Sequence, residues 1–178
     1  MSVFPTTAAG PPQNADVRTW LAPAVSLVLA YVFASNLAAL PIDAFNDRDN
    51  YLTYAKYSDI IFLRYEAEGL LAIFANEPLW LFLNAFLAQF LSADNVVRVL
   101  IFVPSVLVAW QLLRHEPRHA IWIIVFLLAP QVVKNHIVHL RQGVAIAIFI
   151  TGYFAKPAWL RYGLMLAAPL VHSPSFSC

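Results

Sequence analysis

WLAPAVSLVLAYVFASNLAAL, residues 20–40, carries no charged side chain and lies between Arg18 and Pro41. As a helix rising about 1.5 Å per residue, it is long enough to cross the roughly 30 Å hydrocarbon core of a bilayer. The rest of the chain shares this bias. Apolar residues make up 61% of its 178 residues and charged residues 12%, against about 45–50% and about 25% in soluble chains. Mean hydropathy is +0.68. One soluble core of this length cannot hide so much apolar surface, whereas lipid acts as its solvent.

Working outward, residues 1–19 read as a disordered tail, since Met1 to Asn14 is uncharged, rich in Pro, Thr, Ala and Gly, and lacks the basic start of a signal peptide. Residues 20–178 read as one transmembrane domain. Its 41–77 segment changes character, with seven acids against three bases and Tyr51, Tyr54, Tyr57 and Tyr65 interleaved among them. Residues 78–92 are apolar but too short for a full crossing, and suit a re-entrant helix opened by Pro78. Further spans are expected at about 96–113, 120–133, 137–155 and 157–173. Arg114, Arg118, Lys156 and Arg161 occupy the loops at 114–118 and 156–161, which places those loops in the cytoplasm. The acidic segment and the tip around Lys134 to Arg141 then face outward, provided 78–92 enters and leaves on that side. The expected fold is all-α: a polytopic helical membrane protein with a re-entrant or amphipathic outer segment.

Other classes have little support. A net charge of +1 supplies no concentrated basic face for nucleic acid. The one cysteine, Cys178, builds no disulfide framework. HEPRH at 115–119 matches the H-E-x-x-H zinc signature in letters, but Pro117 breaks the continuous helix face that it needs. His136 and His139 have no nearby carboxylate, so no metal site is expected.

Four residues stand out for chemistry. An ionisable group at membrane depth costs about 2.5–3.5 kcal/mol on insertion scales and marks a site by default. Arg141, where an apolar helix is just starting, offers a planar fork of donors that suits phosphate; the plainer alternative is a guanidinium snorkelling to the interface. His172 ends the last apolar run at the same outer level and can act as acid, base or donor. Asp49 and Glu77 sit in the acidic, aromatic stretch, where carboxylates accept bonds from sugar hydroxyls and rings stack on sugars.

The ordered set Asp49-x-Tyr51, Glu77-Pro78, Arg141-Gln142-Gly143-x-Ala145 and His172-Ser173 resembles the EpsG family of bacterial exopolysaccharide proteins, related to Wzy-type O-antigen polymerases. The resemblance runs from about residue 40 to the end. It implies a GT-C-like glycosyltransferase of the inner membrane, without metal or cofactor, that joins undecaprenyl-diphosphate-linked oligosaccharide repeat units on the periplasmic face. The bilayer and further polysaccharide-assembly proteins would be its partners. On that reading Arg141 binds the leaving diphosphate, Asp49 or Glu77 orients or deprotonates the acceptor hydroxyl, and His172 assists. Tyr51, His139, Gln142 and Ser173 would contact substrate. Family members continue past the His element, so a chain ending at Cys178 is expected to be an N-terminal fragment that lacks part of its site. A flippase for the same lipid-linked saccharide and a non-catalytic scaffold are the competing readings.

Overall fold

The computed structural model describes residues 17–41 and 48–172. The tail before Val17, Ser173 and the residues after it lie outside that range. Every regular element among the described residues is helical: α1 (Val17–Ala39), α2 (Arg48–Glu68), α3 (Leu70–Ala75), α4 (Pro78–Ala88), α5 (Ala93–His115), α6 (Ala120–Leu127), α7 (Pro130–Ile137), α8 (Leu140–Phe154) and α9 (Ala158–Ala167). Short 3-10 turns at Pro117–His119 and Ala168–Leu170 precede α6 and follow α9.

The frame is the antiparallel pair α1–α5. Ser26, Ala30, Ala34 and Leu37 recur at helical spacing and are all buried, so α1 turns one continuous stripe inward. Two of them are alanines, and small side chains let helix backbones approach closely. Ala30 packs in one cluster with Val108, Ala109, Leu127 and Ala147. At the other end of the pair, Arg98 of α5 donates to the Ala38 carbonyl at 2.5 Å, which closes the exposed C-terminus of α1. The opposite face of α1 leaves Val25, Val28, Tyr31 and Val32 exposed, and α6 does the same with Ile121, Trp122, Val125 and Phe126. Contiguous apolar surface on this scale marks a protein or lipid contact.

Among the described residues, two helices are long and apolar enough to cross a membrane, α1 over Ala22–Ala39 and α5 over Ala93–His115. The Pro117–Leu127 and Pro130–Ile137 pieces, bent by 73°, make a third if they form one broken span. The expected span at 120–133 thus breaks where the sequence reading ran it straight through. Ala129 is extended (ψ 134), because Pro130 disfavours helix at the residue before it. Helix α8 is apolar but shorter than the run expected over 137–155, since a second break at Val138 and His139 delays its start to Leu140.

The acidic segment is mostly helix. Arg48–Glu68 forms α2 with a kink at Tyr57, where the backbone leaves helical geometry (φ −123, ψ 21). Gly69, at φ 103, then turns the chain into α3, a conformation that needs no Cβ. Pro78 occupies the first turn of α4.

The bundle has two distinct ends. At one, the His115 and Phe154 rings stack at 3.9 Å and Arg161 donates to the Ala155 carbonyl at 3.1–3.2 Å. This basic end gathers Arg114, Arg118, Lys156 and Arg161. The other end brings together the start of α2, the start of α4, the α7–α8 break and the end of α9, and holds the candidate site.

Candidate functional site

Arg141 lies in the first turn of α8. Its guanidinium donates through Nη1 to Glu77 Oε2 at 2.5 Å. The other oxygen of Glu77 faces His172, with Oε1 at 3.4 Å from Nδ1. One carboxylate therefore joins three elements that the sequence keeps far apart. The pair is largely dry: the Glu77 side chain is 9% exposed and Arg141 28%. His172 is the wetter partner at 42%.

Glu77 also carries a backbone signature. It sits in the left-handed region (φ 57, ψ 62), which is uncommon for a residue with a Cβ and costs of order 1–3 kcal/mol. Such strain persists where the surroundings over-determine it, here through Arg141 on one side and Pro78 on the other.

Two aromatic rings support the guanidinium. Arg141 Cζ lies 4.7 Å from the Tyr54 ring centroid and 5.8 Å from that of Trp80, within the range of cation–π attraction. Tyr65 neighbours Tyr54, and its hydroxyl is pushed above the ordinary tyrosine range, by burial first and then by Tyr54. Below, Tyr51 meets Trp80 edge-on at 5.7 Å.

Tyr51 secures the helix break that presents Arg141. Its hydroxyl donates to the Val138 carbonyl at 2.9 Å and accepts from the Leu140 N–H at 3.2 Å. It thereby pairs backbone groups freed where α7 stops and α8 starts. Gly143 allows the next contact, since a Cβ there would stand 2.6 Å from the Asn135 carbonyl oxygen. Tyr51→Phe should lower stability by about 1–3 kcal/mol, the usual cost of unpaired buried backbone groups. The readout is a lower thermal midpoint in detergent, because the α7–α8 break loses the hydroxyl that pairs its backbone groups.

Asn50, Tyr51, His139, Arg141, Gln142 and His172 line a cavity of about 380 Å³, within the usual range for small-ligand sites. It lies at the N-terminal end of α8, where the helix dipole adds to the Arg141 charge in attracting an anion.

The structure brings Tyr51, Glu77, His139, Arg141, Gln142 and His172 together and leaves Asp49 apart. Asp49 lines a different cavity of about 520 Å³, with Thr53, Lys56, Tyr57 and Asp94. Residues 49, 52, 53 and 56 share one face of α2, while Tyr51 and Tyr54 occupy another. His136 and His139 also separate, since His136 is buried with Nδ1 unpaired among the described residues and His139 lines the first cavity. No group of three or more His, Cys, Asp or Glu among the described residues is placed to hold a metal. Ser173 is outside the described residues.

Sequence reasoning missed Tyr54 and Trp80 as the platform under Arg141. The Tyr51–Tyr54 spacing was the available signal, but it only works once residues 48–68 are read as helix. Comparison of the chain with family models, curated proteins and solved structures gave no match.

Proposed function

We propose that the chain is a polytopic membrane protein whose partly buried site binds an anionic phosphate group and performs proton chemistry beside it. More specifically, it is a GT-C-like glycosyltransferase of the bacterial inner membrane. It polymerises undecaprenyl-diphosphate-linked oligosaccharide repeat units for exopolysaccharide, capsule or O-antigen, with the site on the periplasmic face. The observation carrying this reading is that Arg141 and His172, both in contact with Glu77, line one cavity at a helix N-terminus. The grouping of four bases at the opposite end supports the orientation.

On this reading the acceptor hydroxyl oxygen attacks the anomeric carbon of the donor saccharide. The bond from that carbon to the lipid diphosphate breaks, and the electron pair leaves with the diphosphate. Arg141 and the α8 N-terminus face the negative charge that builds there. With Nδ1 of His172 turned to Glu77, Nε2 is the nitrogen left to take the acceptor proton. Glu77 orients that imidazole.

Gene deletion tests the proposal in cells. The expected outcome is loss of long polymer, with single lipid-linked units accumulating on the outer face. Accumulation on the inner face would instead identify a transporter using Arg141 to hold phosphate without bond making, and normal polymer would leave the scaffold reading.

A further inference from the structure

A second depression opens beside the polar cavity. It lies between α8 and α9, measures about 430 Å³, and has Ile146, Phe149, Ile150 and Met165 in its walls. The α8 contributors 142, 145, 146, 149 and 150 follow helical spacing, so they form one lengthwise stripe. From Gln142 to Ile150 the stripe runs about 12 Å toward the basic end. Gln142 and His172 line both this groove and the polar cavity. The two are therefore neighbouring compartments of opposite character meeting at one rim.

That pairing selects a ligand. A free phosphate or a water-soluble sugar phosphate would occupy the cationic cavity and leave the groove empty. A neutral lipid would fill the groove and leave Arg141 unmatched. Only an amphiphile with an anionic head and a hydrocarbon tail complements both. We infer that the α8–α9 groove holds the tail of a lipid phosphate or diphosphate whose head lies at Arg141, with Gln142 and His172 at the junction of head and tail. This rests on the phosphate reading of the site given above. It places the lipid along α8, and directs its head group into the cavity from the side of the bundle.

The test uses the full chain in nanodiscs, with farnesyl diphosphate and inorganic diphosphate as paired probes. Ile146→Trp fills the groove without touching the cavity. It should weaken farnesyl diphosphate binding about tenfold or more, by excluding several methylene groups from apolar cover, and leave inorganic diphosphate unchanged. Equal binding of both probes to wild type and variant would overturn the tail placement. Photolabelling the unmodified chain with a diazirine-tailed farnesyl diphosphate analogue needs no variant. Crosslinks on Ile146 to Ile150 and around Met165 are expected, and crosslinks confined to α1 and α6 would overturn the assignment even if Ile146→Trp misfolds. Arg141→Ala separates the two readings: unchanged inorganic diphosphate affinity there defeats the phosphate site, while the crosslink map still decides where the tail runs.

Discussion

Arg141→Ala should abolish long polymer in cells while the protein stays in the membrane. Removing one donor aimed at developing negative charge costs about 10²–10³ in rate, and Arg141 supplies the only side-chain cation besides histidine among the residues lining the cavity. Loss of stability is the competing explanation. Taking one partner from a buried ion pair costs about 3–5 kcal/mol, and an Arg141 side chain 28% exposed puts this pair at the lower end. Arg141→Lys distinguishes the two, since it keeps a cation beside Glu77 and leaves no orphaned charge. Normal membrane abundance with polymer still absent is expected, and normal polymer would reduce Arg141 to a counter-ion. Arg141→Lys should recover little activity, because an ammonium lacks the planar fork and the stacking on Tyr54.

The apolar rods were legible because lipid-facing helices need only length and lack of charge. Residues 20–40 satisfy both without reference to any neighbour, and the α5 stretch does so over 99–113, beyond Arg98. The region from 120 to 155 was less legible. Lys134-Asn135-His136 and Arg141-Gln142 interrupt its apolar runs, Pro130 and the break at Val138 and His139 cut it into three helices, and the second break is held by a distant residue, Tyr51. The acidic segment gave little helical signal, with tyrosines and aspartates that favour strands or turns when taken singly. Its fold depends on packing against α4 and α5.

Of the site, the chemistry-bearing residues could be nominated singly, yet their grouping could not. Glu77 and Arg141 are 64 positions apart, and no local pattern pairs them. Asp49 shows the converse. It is next to Asn50 and Tyr51 in sequence, but a helix turns neighbours to different faces, and it faces Lys56 and Asp94 in another cavity.

Glu77→Gln is expected to move binding and turnover in opposite directions. The Glu77 carboxylate occupies Arg141 at 2.5 Å, which is where an incoming phosphate oxygen would compete. A hydrogen bond to a charged group is worth about 1.5–3 kcal/mol, so removing the competitor should tighten inorganic diphosphate binding roughly tenfold or more. Turnover should fall all the same. With the carboxylate gone, His172 loses the partner that fixes its ring, and general base catalysis typically contributes about 10²–10⁴. Titration of the purified chain gives the first quantity, and polymer length and amount in cells give the second. Weaker diphosphate binding would mean that Glu77 builds the anion site instead of guarding it. Unchanged polymer would remove the carboxylate from the mechanism, leaving its left-handed backbone to be explained by packing. Tighter binding joined to lost turnover is the combination required if one carboxylate both holds Arg141 in the resting state and turns His172 toward the acceptor once phosphate has taken its place.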